Sequence, residues 1–104
     1  MIEFRLDANS AQKWIRQIAD KTENIIIGDH ALERMEERDI FDVDVYRVLR
    51  GGFVTGIPEG GNNEGEWKCK IVMKLRGHRE AGVVTIILRS RKLFVKTVEW
   101  EDIK

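Results

Sequence analysis

This chain of 104 residues is poor in cysteine and proline, with one of each, and has no apolar run of the length that crosses a bilayer. Because Cys69 is the sole cysteine, an internal disulfide is excluded. No apolar stretch follows a basic start, as it would in a signal peptide. We therefore expect a cytoplasmic protein without a membrane partner.

Internal repeats and low-complexity segments are also absent from the sequence. Hydrophobic residues make up 42% of the chain and charged residues 35%, a composition typical of globular and not of disordered proteins. A chain of this length has room for one hydrophobic core. We expect a single domain over residues 1–104.

The formal net charge is zero, but the charges are unevenly distributed along the chain. Residues 66–98 contain nine lysines and arginines against Glu66 and Glu80, which gives this segment a net charge of +7 and leaves −7 for the rest. Such an asymmetry suits a polyanion, or an acidic protein, as the partner of the basic half.

The most informative segment is residues 30–38, whose pattern predicts a helix with a histidine and two arginines spaced by four. The side chains of His30, Arg34 and Arg38 would span an arc of about 80° on one face of this helix. An imidazole beside two guanidiniums suits a phosphate group. The segment also carries three glutamates, Glu33, Glu36 and Glu37. A helix of mixed charge is more often a solvated face with ion pairs between its turns, so both interpretations stay open.

Apolar spacing predicts how the helices begin, end and face the core. We expect a first helix capped by Asp7 or Asn9 and running to about Lys21, with the buried stripe Ala11, Trp14, Ile15 and Ile18. Residues 25–27 are three isoleucines, which indicate an extended link before a second helix capped by Asp29. That cap places His30 in the first turn, and the opposite side of this helix would contact the core through Ala31, Leu32 and Met35.

A third helix is predicted to begin with Asp42 as its N-cap and to pack Phe41 against Tyr46. Val45, Val48 and Leu49 would form its inward stripe. It would end at Gly51 and Gly52, one of which would take a positive φ.

From Phe53 onward the apolar pattern changes to a period of two, which predicts strands over 53–57, 66–76, 83–88 and 93–100. Residues 58–65 would be a loop and residues 77–82 a turn. In the second strand Trp67, Cys69, Ile71, Met73 and Leu75 share one face, and the other carries Lys68, Lys70, Lys74 and Arg76. We expect an α+β fold, with N-terminal helices packed on one face of a four-stranded, mainly antiparallel sheet.

The run His30-Ala31-x-x-Arg34-Met35-x-x-Arg38-x-Ile40, the glycine-terminated helix and the closing Val-x-Thr-Val-x-Glu strand together resemble the DUF4258 family of domains of unknown function. The family-like core covers about residues 22–100, and residues 1–21 form an additional arm and helix. This family is similar in layout to toxin-like ribonucleases of the barnase, EndoU, colicin and RelE type. The resemblance implies metal-independent RNA cleavage without a cofactor and an antitoxin-like protein partner.

Such cleavage needs groups that transfer protons and cations around the phosphorane. His30 would be the acid or base, with Arg34 and Arg38 as phosphate clamps and Lys68, Lys70, Lys74 and Arg76 as the substrate-binding face. The two histidines have no neighbouring cysteines, so no metal site is predicted. The alternatives are a non-catalytic module that binds RNA or an acidic protein through the strand lysines, and a purely structural pairing of the helix charges.

Overall fold

The computed structural model describes residues 5–75 and 77–102, and it has the expected α+β class. In chain order the elements are α1 (Ala8–Ala19), a short 3₁₀ turn (Thr22–Asn24), β1 (Ile25–Ile27), α2 (Asp29–Arg38), α3 (Asp42–Gly51), β2 (Phe53–Gly60), β3 (Trp67–Leu75), β4 (Arg79–Ile87) and β5 (Leu93–Trp100). Part of the predicted arm, residues 1–4, and the predicted site residue Arg76 lie outside the described residues. Over the described ranges, no helix is long and apolar enough to span a membrane.

The sheet has five strands, in the order β1-β5-β4-β3-β2, and not the four that the sequence predicts. The additional strand is β1, where we expected only an extended link. Ile25 pairs with Leu93 and Ile27 with Val95, in parallel, while the other three pairings are antiparallel. The three isoleucines carry no signal for this pairing, because their partners lie 68 residues further along the chain.

The hydrophobic core lies between the helices and one face of the sheet. The alternation predicted for β3 is confirmed, since Cys69, Ile71 and Leu75 are buried and the lysines between them are not. Helix α1 contacts β2, α3 contacts β3 and β4, and α2 contacts β5. The opposite face of the sheet has no helix from the described part of the chain packed on it.

Helix α1 begins as predicted but presents a different stripe to the core. The Asp7 carboxylate accepts a hydrogen bond from the Ser10 N–H at 2.6 Å, which lowers the pKa of Asp7. Ala11, Ile15 and Ala19 are buried at spacings of four, whereas Trp14 is 40% exposed. The prediction that Trp14 lies in the core is therefore wrong, because the buried stripe follows the i, i+4 positions and leaves Trp14 on its flank.

Helix α3 has the predicted inward stripe, since Val45, Val48 and Leu49 are buried. Its N-cap is Phe41 and not Asp42, and the carboxylate of Asp44 accepts a hydrogen bond from the Phe41 N–H at 2.9 Å. The side chain of Phe41 is 57% exposed, so the predicted apolar contact with Tyr46 does not bury it. The buried carboxylate of Asp44, and not an apolar contact of Phe41, therefore stabilises the start of α3.

Helix α3 ends at the predicted glycines, Gly51 and Gly52, but neither of them takes a positive φ. Gly52 has φ −81°, and the positive φ values among the described glycines belong to Gly56, Gly65 and Gly77. A β-carbon on Gly52 would lie 2.6 Å from the carbonyl oxygen of Val48. Gly52 is therefore required by close packing and not by backbone conformation.

Two strands are longer than predicted. Strand β2 continues to Gly60 across an irregularity between Thr55 and Glu59, although residues 58–65 were predicted as a loop. Strand β4 begins at Arg79, so only part of the predicted 77–82 turn remains. Both extensions are held by pairing with β3, a partner that local turn signals do not reveal.

Candidate functional site

Helix α2 begins directly after β1, with Gly28 and not Asp29 as its N-cap. The Gly28 N–H donates a hydrogen bond to the carbonyl of Val95 at 3.0 Å, which fixes the start of the helix against β5. Because the N-cap is a glycine, it offers no side chain to cap the first turn of α2. As predicted, His30 lies in this turn, where N–H groups of a helix can receive an anion.

The other end of α2 is fixed to β5 by two hydrogen bonds. Arg38 donates from its guanidinium to the carbonyl of Val98 at 3.0 Å, and the Trp100 indole N–H donates to the Arg38 carbonyl at 2.7 Å. Strand β1 pairs with β5 only as far as Val95, so Val98 lies on a strand edge that β1 does not cover. The Arg38 guanidinium thus supplies a hydrogen-bond donor to the uncovered edge of β5. Both ends of α2 are therefore fixed to β5.

The exposed side of α2 carries the histidine and the other arginine of the predicted site. His30 is exposed, and its imidazole makes no hydrogen bond or ion pair with any residue in the ranges 5–75 and 77–102. Arg34 is paired with Glu37, with 2.6 Å between Nη1 and Oε2, and its side chain is 33% exposed. The imidazole is therefore available to a ligand, while part of the charge of Arg34 is compensated within the helix.

The core-facing side of α2 is narrower than predicted. Ala31 and Met35 are buried, but Leu32 is 49% exposed, so its expected core contact is wrong. Four carboxylates (Asp29, Glu33, Glu36 and Glu37) lie on this helix with its two arginines. A phosphate group bound at its N-terminus would therefore need another cation from elsewhere in the fold.

Lys96 is a cation of β5 at a position that the sequence does not single out. Thr85 pairs with Val95 and Val84 pairs with Thr97, so Lys96 is the extra residue of a β-bulge in β5. Its side chain is exposed, and the preceding residue, Val95, accepts the hydrogen bond from Gly28. The bulge thus brings the backbone of a lysine next to the start of α2. Nothing in the local sequence marks a bulge here, which is why it was missed.

Two of the strand lysines of the predicted substrate-binding face form ion pairs with glutamates from other parts of the fold. Lys68 pairs with Glu59 at 3.2 Å, and Lys70 pairs with Glu99 at 3.0 Å and Glu101 at 2.8 Å. Desolvation lowers the pKa of Lys70, but its hydrogen bonds and charge attraction to the two glutamates outweigh this effect and raise the pKa above its ordinary value. These partly exposed pairs leave little net positive charge at Lys68 and Lys70.

Lys74 is exposed and lies opposite Glu80 in the β3–β4 register. All three lysines alternate with residues of β3 that face the helices, so they belong to the open face of the sheet. His30, Arg34 and Arg38 belong to α2, in the helical layer on the other face. The residues of α2 and the strand lysines of the predicted site therefore lie in different layers of the fold.

The sole cysteine is part of the core. Burial raises the pKa of the Cys69 thiol to about 11. At neutral pH the thiol is protonated and shielded, so it lacks the thiolate character of a nucleophile.

Residues 27–100 match the family described as Domain of unknown function (DUF4258). The chain belongs to the DUF4258 family. The matched region contains α2, α3 and β2–β5, and thus His30, Arg34 and Lys96, whereas α1 precedes it. No curated protein and no solved structure matches this member of DUF4258.

Proposed function

We propose that this DUF4258 domain is a metal-independent endoribonuclease of toxin-like type, with His30 as its proton-transfer group. The observation that carries this proposal is the imidazole of His30, which has no partner among the described residues and lies in a helical turn whose N-cap is a glycine. A structural histidine usually has a hydrogen-bond partner within the protein, and His30 has none among the described residues. Its accessible nitrogen suits a group that exchanges protons with a substrate.

The residues around His30 would take separate roles in the cleavage of one phosphodiester. His30 removes the proton from the 2′-hydroxyl, and the 2′-oxygen attacks phosphorus as the bond to the 5′-oxygen breaks. The leaving 5′-oxygen takes a proton from solvent at this exposed surface, and the products are a 2′,3′-cyclic phosphate and a 5′-hydroxyl. Arg34 and Lys96 neutralise the developing charge on the phosphate. Arg38 acts mainly as a positioning residue, because it donates to Val98.

The toxin-like assignment carries two further proposals. The protein would act in the cytoplasm, where RNA is accessible, and an antitoxin-like partner would inhibit it by covering the exposed side of α2. An acidic segment of such a partner would compete with RNA for Arg34 and Lys96.

The direct test is cleavage of single-stranded RNA by the purified protein in the presence of EDTA, followed by analysis of the product ends. We expect 2′,3′-cyclic phosphate and 5′-hydroxyl ends. RNA that is bound but left intact would favour the non-catalytic binding module. The absence of both binding and cleavage would leave a structural role for the charges of α2.

A matched pair of lysine variants tests where the RNA binds. Lys96→Ala should lower the cleavage rate about 10-fold or more, because it removes a cation beside the scissile phosphate, whereas Lys74→Ala should leave the rate unchanged. Both lysines are exposed, so both variants should fold. The measurement is the initial cleavage rate at fixed salt concentration. A loss with Lys74→Ala alone would place the RNA on the open face of the sheet and contradict the site at α2.

A further inference from the structure

A second site lies at the turn that leads into β5. A cavity of about 310 Å³ opens between α1 and the turn that joins β4 to β5. Its lining includes the indole of Trp14, three aliphatic side chains (Ile18, Ile87 and Leu88) and the two arginines Arg89 and Arg91, together with Gln17 and Gly65. The volume is in the range of small-ligand pockets, and the lining combines an apolar wall with positive charge.

The two arginines of the cavity are exposed, and the described part of the chain gives them no ion-pair partner. Within residues 5–75 and 77–102, no carboxylate pairs with the guanidinium of Arg89 or Arg91. The nearby Glu66 accepts a hydrogen bond from the backbone N–H of Arg89 at 3.4 Å and another from Asn63 at 3.0 Å. The guanidiniums of Arg89 and Arg91 can therefore donate several hydrogen bonds to one anion in the cavity.

The backbone holds these arginines in place at some conformational cost. Arg91 has φ +63°, in the left-handed region that glycine or asparagine would occupy more easily. The turn is closed by a hydrogen bond from the Leu88 N–H to the Lys92 carbonyl at 2.9 Å. A β-carbon on Gly65 would lie 3.5 Å from Cγ of Arg89, so the stem of Arg89 runs along this glycine.

Trp14 supplies the apolar wall of the cavity. The indole is 40% exposed on the flank of α1, and neither a hydrogen bond nor a ring contact joins it to the described residues. An exposed tryptophan beside unpaired arginines is a common platform for a nucleobase with its phosphate. A simple inorganic anion would not use the indole, and an apolar peptide would leave two guanidiniums without a partner.

We propose that this cavity binds a nucleotide, with its base stacked on Trp14 and its phosphate held by Arg89 and Arg91. Trp14 lies outside the region matched by DUF4258, so the site belongs to the additional N-terminal helix and to the β4–β5 turn. It does not depend on RNA cleavage at His30. The bound nucleotide is either free or part of a single strand, and the two sources share this chemistry.

The test uses the indole N–H signals of the ¹⁵N-labelled full-length protein during a titration with 5′-AMP. The chain has three tryptophans, and Trp100 is buried with its indole N–H bonded to Arg38, so it serves as an internal control. We expect a saturable shift of the Trp14 signal with little change at Trp100. Adenosine and inorganic phosphate should each bind at least about 10-fold more weakly than 5′-AMP, because adenosine lacks the phosphate and inorganic phosphate lacks the base.

Variants separate specific binding from general attraction between charges. Arg89→Ala and Arg91→Ala should each raise the Kd about 10-fold. Trp14→Leu retains apolar volume and should raise the Kd similarly, and because this variant lacks the indole signal, its binding is followed through the backbone amide of Gly65. Arg47→Ala, at an exposed arginine of α3, should leave the Kd unchanged. His30→Gln should also bind 5′-AMP normally, so failure of the ribonuclease proposal would not affect this result.

A short oligoadenylate distinguishes the two nucleotide sources. Tighter binding than that of 5′-AMP identifies a strand as the ligand, and equal binding identifies a free nucleotide. The absence of a saturable Trp14 shift at millimolar 5′-AMP would overturn the proposal. An equal affinity for adenosine, or unchanged affinity in both arginine variants, would overturn it as well.

Discussion

Replacing His30 with glutamine should lower RNA cleavage by about 10²–10⁴-fold, the range expected for the loss of a positioned acid or base. Glutamine keeps similar size and hydrogen-bonding capacity, but it does not exchange protons near neutral pH. The side chain of His30 is exposed and has no partner among the described residues, so the substitution removes no contact that stabilises this part of the fold. The variant should therefore unfold at the same denaturant concentration as the wild type.

His78→Gln is the matched control for this experiment. His78 is also exposed, but it lies in the turn between β3 and β4. We expect wild-type cleavage from this variant under single-turnover conditions with the same end-labelled RNA. Full activity in folded His30→Gln protein would contradict the assignment of His30 and favour the non-catalytic binding module.

Sequence reasoning was most successful where the determining contacts are local. The helix that carries His30, Arg34 and Arg38 was predicted from its spacing, and so was the alternation of buried and exposed residues in β3. Helical periodicity and strand alternation each depend on neighbours within a few residues. These patterns were sufficient to place His30 in the first turn of α2.

The parts that sequence reasoning missed depend on distant partners. The role of β1 as a strand requires Leu93 to Val95, and the bulge at Lys96 requires the register of β4 against β5. Predicting that Lys68 and Lys70 face solvent did not reveal their ion pairs, because Glu59, Glu99 and Glu101 lie on other strands or beyond them. For this reason, the candidate site differs more from its prediction than the fold class does.

Gly52→Ala should reduce the free energy of unfolding by about 3–5 kcal/mol, at the upper end of single-substitution effects. A β-carbon at this position would lie 2.6 Å from the carbonyl oxygen of Val48 and 2.7 Å from both the carbonyl oxygen of Val72 and Cγ2 of Ile71. Two of these atoms belong to the hydrogen-bonded backbone of α3 and β3, so they cannot move without disturbing an element. The third belongs to a fully buried side chain.

Gly51→Ala provides the comparison that separates close packing from backbone freedom. A β-carbon on Gly51 would meet only Cε and Sδ of Met73, at 3.5 and 3.7 Å, which are ordinary contact distances. Because Gly51 is the last residue of α3, alanine there should be neutral or stabilising by up to about 1 kcal/mol. The free energies of unfolding of the two variants are measured by urea unfolding monitored by circular dichroism. If Gly51→Ala costs as much as Gly52→Ala, the glycine pair acts through backbone flexibility at the helix end, and the close approach of α3 to β3 is not what requires Gly52.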